Sequence, residues 1–435
     1  MMLLCDPGDS AADQAQQQSQ PKEMHEHVDV TATALTPTRE ASGTSWIPAV
    51  TPMYGLHQPW RGWDLRLNGL LFAQAVFEPR DRHRTGGFGT RQIGSLNWGM
   101  FAARRSVGEG RFGIRTMLSA EPWTVPNCGS LSFLSTGEVC EGDTIHDRQQ
   151  QHDAFMELAV DYDRPIRGSW RWQIYAGFAG EPALGPPGYP HRPSATSNPM
   201  GPITHHWLDS THVSFGVVTL GVNDRRWKFE ASTFNGRAAD ESRADLDLGA
   251  FDSVPGRISF LPTERLAIQV SAARMRDAGA EFIVRASEPV NRLTASAMYH
   301  RLMGERGFWA TTVAVGANHA REPVSVDILD ATTSAALLES SLTLSDRHSV
   351  FVRGEIGRTP AHHLHALEYS TAVFTVGKLQ TGYVRLFASR KGLVPGIGAS
   401  TAVSLLPIEL ESRYSGRVAP SLNIFFTLRA GRHEM

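Results

Sequence analysis

No stretch of the sequence is long and apolar enough to cross a bilayer as a helix. Such a span needs roughly 18 residues with few or no charges, and none is present. A helical membrane protein is excluded. A charge of one sign is also missing. The formal net charge is -2 over 435 residues, which gives no electrostatic case for nucleic acid. Catalytic signatures are scarce, with no Gly-x-Ser-x-Gly elbow, P-loop or dinucleotide fingerprint in usable context. Cysteine is rare, three in all. Cys128 and Cys140 sit close together in a Gly/Ser-containing loop. A disulfide there would close a small ring and need an oxidising compartment; two free thiols are the other reading. The opening residues, MMLLCDPGDS, lack a basic region, and their apolar run is far shorter than the roughly 7–15 residues of a leader. If the remainder requires export, the start is expected to be truncated or misassigned.

What the chain has instead is alternation. With 41% hydrophobic and 20% charged residues it is too apolar for disorder and too polar for a helical bundle in lipid. In RRWKFEASTFNGR, Trp227, Phe229 and Ala231 fall on one side of an extended chain; Lys228, Glu230 and Ser232 fall on the other. The same period runs through WDLRLNGLLFAQAVF, where Leu70 and Phe72 are exceptions. It recurs in SWRWQIYAGF, LAIQVSAAR, RLTASAMYH, VFVRGEIG and SLNIFFTLRA. Roughly sixteen such segments occur, most near the length of about 9–11 residues that crosses a bilayer when tilted.

Their connections alternate in length. Short ones such as SVGEG, DRPIRG, VNDRR, LPTER, LMGERG, LSDRH and SRKGLV alternate with long ones, including 121–152, 180–209, 236–250, 319–331 and 358–371. Short turns at one rim and long loops at the other describe an outer-membrane barrel. A soluble β-sandwich, the competing fold, has no reason to sort its loops by parity. Aromatic placement supports the same topology. Trp63, Trp170, Trp172, Trp227, Phe308 and Trp309 begin odd segments, and Tyr162, Phe260, Tyr299 and Phe387 lie near the ends of even ones, as an interfacial belt requires. Phe77, Phe155, Phe178, Phe215 and Phe374 are expected at the opposite rim. The expected fold is all-β: a single antiparallel transmembrane β-barrel of about sixteen strands over residues 62–430, with short periplasmic turns and long extracellular loops. Residues 1–61 are expected to form a disordered periplasmic tail, and 431–435 a C-terminal tail.

A barrel of this size encloses an aqueous channel. The pore-lining candidates are Asp64, Arg66, Arg115, Glu157, Arg171, Lys228, Glu230, Arg257, Glu339, Arg353, Glu355, Lys378 and Arg385. Mixed charge in a narrow pore sets a transverse field that orders water and sorts solutes by dipole and size. The same residues also suit the salt-bridged lining of a plugged barrel. The Pro-rich loop 180–209 either folds inward and narrows the pore or stays at the surface.

Two histidine groups are candidate ligands for copper or zinc: His205, His206, Asp209 and His212, and His146, Asp147, His152 and Asp153. Met24, His25 and His27 add a third in the tail. None of these spacings matches a closed structural site. Ser210, His212 and Ser214, with Asp209 nearby, supply the atoms of a lipid hydrolase but no motif, so the chain is not expected to be an enzyme.

The stretches EASGTSWIP, SAEPWT, HDRQQQHD, GEPALGP, GYPHRPSA, ITHHWLDSTH and LVPGIG resemble parts of a group of uncharacterised, porin-like outer-membrane β-barrel proteins of Gram-negative bacteria. The resemblance implies a barrel in the outer membrane, and it brings no assigned activity. Some members have His/Met-rich N-termini, which MHEH echoes faintly, so metal stays a side hypothesis. The chain departs from the group in lacking a leader and in ending on GRHEM rather than a terminal aromatic, with Phe425 and Phe426 taking that place within the strand. The functional expectation is passive diffusion of small hydrophilic solutes, without a cofactor and with loop 180–209 as a gate. Its partners would be outer-membrane lipid and the barrel-assembly machinery, and the protein would be a monomer or trimer. The second reading is a non-conducting barrel that binds or handles copper or zinc.

Overall fold

The structure is a computed structural model and describes residues 39–78, 90–126, 128–141, 143–209, 213–237, 239–276, 289–324, 327–369, 371–414 and 416–432. Alternation becomes strand. The first four strands are β1 (Leu56–Trp60), β2 (Trp63–Phe77), β3 (Arg91–Val107) and β4 (Gly110–Leu118). Four short strands lie in the next loop: β5 (Ser130–Leu131), β6 (Glu138–Cys140), β7 (Asp143–Ile145) and β8 (Arg148–Gln149). Next come β9 (Phe155–Arg167), β10 (Trp170–Gly180), β11 (Ser214–Asn223), β12 (Trp227–Asn235), β13 (Val254–Thr263) and β14 (Leu266–Met275). The last seven are β15 (Val290–Leu302), β16 (Phe308–Val324), β17 (Asp327–Leu344), β18 (His348–Pro360), β19 (Val373–Leu386), β20 (Leu393–Leu405) and β21 (Val418–Ala430).

β2–β4 and β9–β21 pair antiparallel in chain order, and β21 returns to β2, so sixteen strands close a barrel. The closing seam runs from Leu70↔Arg429 to Phe77↔Leu422. Further along the same edge β1 pairs with Trp63–Leu67 of β2, and Tyr54 bridges Arg432, so β1 continues the seam to the rim. The boundary expected at residues 61/62 therefore falls inside a hairpin. Closure leaves no unpaired edge, and an edge in hydrocarbon would cost several kcal/mol per orphaned amide.

The period of two decides which solvent each side chain meets. On β12, Trp227, Phe229 and Ala231 are exposed, while Lys228, Glu230 and Ser232 are buried inside. The outer face continues around the wall with Ile258, Val270, Leu293, Val313, Leu338, Val352, Leu379 and Ile424. Near the short-turn rim Trp227 stacks on Phe260 at 4.2 Å between centroids, Tyr162 meets Trp172 at 5.6 Å, and Tyr299 meets Trp309 at 5.6 Å. Amphipathic rings in such a row suit the membrane interface.

Three expected belt aromatics are not in it. Phe308, Phe215 and Phe374 are buried, on the inward phase of their strands. The long loop expected at 319–331 is also absent, because β16 and β17 stay paired out to Val324↔Asp327. Since β15 stops pairing at His319 and β18 at Ala335, the hairpin tip stands above its neighbours, with Glu322, Val324 and Leu329 buried on one side and Pro323 and Ile328 exposed on the other.

Candidate functional site in the lumen

Three segments enter the barrel. Residues 39–47 form a small hairpin, bridged Glu40↔Trp46, at the short-turn rim, where Arg39 donates to the carbonyl of Arg225. Loops 119–153 and 181–209 come from the other rim. Gly43 turns the hairpin with φ +48, and a Cβ there would meet Glu181 at 2.8 Å. Gly185 (φ +71) packs the start of the long loop still more tightly against the carbonyl of Leu208 near its end.

The hairpin is held by wall charges. Lys228 Nζ lies 3.2 Å from both Glu40 and Glu230 and donates to the carbonyl of Thr44 at 2.7 Å. Arg104 reaches Glu40 at 2.9 Å and Asp161 at 3.1 Å. Arg115 donates to the carbonyl of Gly43 at 2.6 Å and lies 3.4 Å from Glu157. Arg257 pairs with Glu230 at 3.0 Å and donates to Thr44, Ser45 and the carbonyl of Gly185. It therefore clamps hairpin and loop together. Ser42 completes the junction by donating to Glu181 at 2.8 Å. Burial alone would raise the Glu40 carboxyl, but Lys228, Arg104 and Arg115 outweigh it and hold the group far below the carboxylate range. For Glu181 burial wins, reinforced by Glu157 and Asp209 over the Ser42 hydrogen bond, and the pKa rises to about 7.

The loop 181–209 carries its own network. Its prolines do not exclude every helical turn, since Tyr189–His191 and His205–Leu208 each make one. Arg192 donates to Glu339 at 2.7 Å and reaches Asp209 at 3.4 Å. Arg353 grips the other oxygen of Glu339 at 3.0 Å and donates to the carbonyl of Met200 at 2.6 Å. Thr204 donates to Glu355, Ser194 bonds Thr312, Ser197 bonds Ser349, and Asn198 donates to Gln380. Arg192, Lys228 and Arg353 are at most 1% exposed. Unpaired, each would cost several kcal/mol.

Of the sequence-derived candidates, Asp64, Arg66, Arg171, Lys228, Glu230, Arg257, Arg353, Glu355 and Lys378 all turn inward. Asp64 pairs with Arg66 at 2.6 Å, Arg171 contacts Asp163, and Lys378 donates to the carbonyl of Phe133. Arg385 is a correction. It lies seven residues from Lys378, an odd offset that puts it outside, against His348 and beside outward Tyr383. The sulfurs of Cys128 and Cys140 are joined, with their Cα atoms 5.7 Å apart.

Of the first histidine group, His205, His206 and Asp209 lie among the described residues. His205 and His206 lie 4.0 Å apart between tilted ring centroids within a helical turn, His205 bonds the carbonyl of Pro202, and Asp209 is engaged by Arg192. His212, Ser210, Met24, His25 and His27 lie outside the described residues. In the second group His152 bonds Glu121 at 2.9 Å and Asp153 faces Arg243 at 3.5 Å. Ser214 is buried at the start of β11.

Sequence reasoning missed Glu40, Arg104, Asp161, Glu181 and Arg192. Asp161 alternates with outward Val160 and Tyr162, so period two alone would have found it. Glu40 and Arg192 belong to irregular segments and carry no such signal.

The fold and lumen define the class: a closed sixteen-stranded membrane barrel with an ionic interior and inserted segments. No protein-family model matches the chain, and no curated protein matches it. Among solved structures it is similar to OmpF of Salmonella typhi in complex with daunomycin, with 11% identity, 86% of this chain and 100% of that chain covered, and a TM-score of 0.49. It is similar to the outer-membrane channel DcaP of Acinetobacter baumannii, with 8% identity, 87% and 99% coverage, and a TM-score of 0.46. For an anion-selective porin from Comamonas acidovorans the values are 9%, 85% and 99%, and 0.45.

Proposed function

We propose that the protein is a porin-like channel of the bacterial outer membrane for passive diffusion of small hydrophilic solutes, narrowed by its own inserts. The observation that supports this reading is the lumen: a sixteen-stranded wall lined by charges of both signs, with hairpin 39–47 and loop 181–209 meeting at Ser42, Glu181 and Arg257. Barrels of this strand number leave room for water, and inward loops reduce that room to a constriction. In this reading solutes pass beside the inserts and are sorted by size and dipole in the field between basic wall residues and acidic partners.

The test is single-channel conductance of the refolded chain in a planar bilayer, with and without residues 183–204. Ohmic steps that grow on deletion support the reading. Silence in both chains, despite heat-modifiable barrel migration on a gel, overturns it in favour of a plugged barrel.

A further inference from the structure

Loop 361–372 joins β18 to β19 at the long-loop rim. Its turn, His362–Leu364, follows β18 directly and is closed by Ala366 N–H donating to the carbonyl of Ala361. Ala361, Leu364 and Ala366 are fully buried in an apolar cluster with Phe133, Phe374 and Leu410. The cluster fixes the turn, and the turn presents His362 and His363 toward the upper end of β16. Glu322 waits there, on the part of the β16–β17 hairpin that stands above its neighbours. Its Oε2 lies 2.9 Å from His362 Nε2 and 3.1 Å from His363 Nε2. The three donor atoms all fall within 4.8 Å of one another.

These separations fit shared coordination. Metal–ligand bonds of about 2.0–2.2 Å at tetrahedral or octahedral angles place neighbouring donor atoms about 2.9–3.5 Å apart. Oxygen Oε2 is buried and lies within reach of both imidazole Nε2 atoms. Two imidazoles and one carboxylate suit borderline divalent ions and leave coordination positions for water.

We propose that Glu322, His362 and His363 form a binding site for a borderline divalent cation, Zn2+ or Cu2+, at the exterior rim. It uses none of the histidines that the sequence singles out and does not depend on whether the lumen conducts. Bound metal would tie the β18–β19 loop to the β16–β17 hairpin, and binding would release the protons held on the coordinating imidazole nitrogens.

The test is calorimetric titration of the full-length, detergent-refolded chain with Zn2+, using Mg2+ as control, beside Glu322→Gln, His363→Gln and the combined Glu322→Gln/His362→Ala/His363→Ala chain. Other histidines contribute equally to every chain. The expected result is one Zn2+ equivalent that is lost in the triple variant and weakened at least about tenfold in each single variant, while heat-modifiable migration shows the barrel intact. Zinc-edge absorption of the loaded wild-type chain should show two imidazoles. Unchanged stoichiometry and affinity in the triple variant, or a spectrum without imidazole, overturns the site. Conductance plays no part in this readout, so a silent barrel leaves the result interpretable.

Discussion

Replacing Glu339 with Gln is a direct test of how the long loop is held. The carboxylate accepts from Arg192 at 2.7 Å and Ser194 at 2.8 Å on one oxygen, and from Arg353 on the other. Glutamine keeps the shape but leaves two buried guanidinium groups around a neutral amide. Breaking a buried ion pair from one side costs about 3–5 kcal/mol. The wall does not take that loss, since Glu339 is paired through its backbone to both Thr312 and Arg353. The loop does, at the segment around Arg192 and Ser194: Thr204 on Glu355 and Arg353 on the Met200 carbonyl still hold its later half, while Ser197 and Asn198 add neutral hydrogen bonds worth about 1 kcal/mol each. Opening of the loop should therefore rise roughly 10²–10³-fold. Hydrogen exchange of residues 186–204 in detergent measures it. The control is Asp330→Asn, whose pairing with Arg321 is about half exposed and worth about 0–1 kcal/mol. Equal loop exchange in Glu339→Gln and wild type, with the barrel folded, would refute the idea that this carboxylate pins the loop.

Three other outcomes follow from the same structure. Because burial holds Glu181 protonated up to about 7, its contribution to docking is complete below 4.5 and fades as pH rises through 7. Loop opening, taken from exchange rates corrected for the base-catalysed intrinsic rate, should be greater at pH 8 than at pH 5, and Glu181→Gln should flatten that difference. Cys128→Ser opens a ring with a sequence separation of 12, worth about 3 kcal/mol in the chain-entropy account; proteolysis of loop 119–153 should accelerate while the barrel's melting stays unchanged. Val270→Arg places a charge on the outer face of β14, and urea unfolding in vesicles should show a loss of about 2–4 kcal/mol.

The wall was legible because each strand carries its environment in its own alternation. Trp227, Lys228, Phe229 and Glu230 need no knowledge of the rest of the chain to be sorted. Phase errors arose where alternation slackens, as at Phe308 and Arg385, and at 319–331, where Arg321, Glu322, Asp327 and Asp330 interrupt the apolar positions. The lumen was legible only on the wall side. Lys228 and Arg257 were found, but their partners Glu40, Thr44 and Gly185 lie in irregular segments and are chosen by tertiary contact. Glu322 was invisible for the same reason: its partners are 40 and 41 residues away, in a loop that an apolar cluster shapes.

The seam between β2 and β21 has a consequence for assembly. Every other seam joins barrel strands that follow one another along the chain, with only the short β5–β8 intervening between β4 and β9, whereas this one brings Asn423 to Gln74, 349 residues apart. Until it forms, two full edges of backbone amides and carbonyls stay open, and hydrocarbon offers them nothing to bond. A partly inserted sheet therefore gains little from each strand added at its edge, and the gain arrives with the last one. Insertion and closure become a single cooperative event, and shortening β1, which carries the seam on to the rim, should slow that event more than it weakens the finished wall.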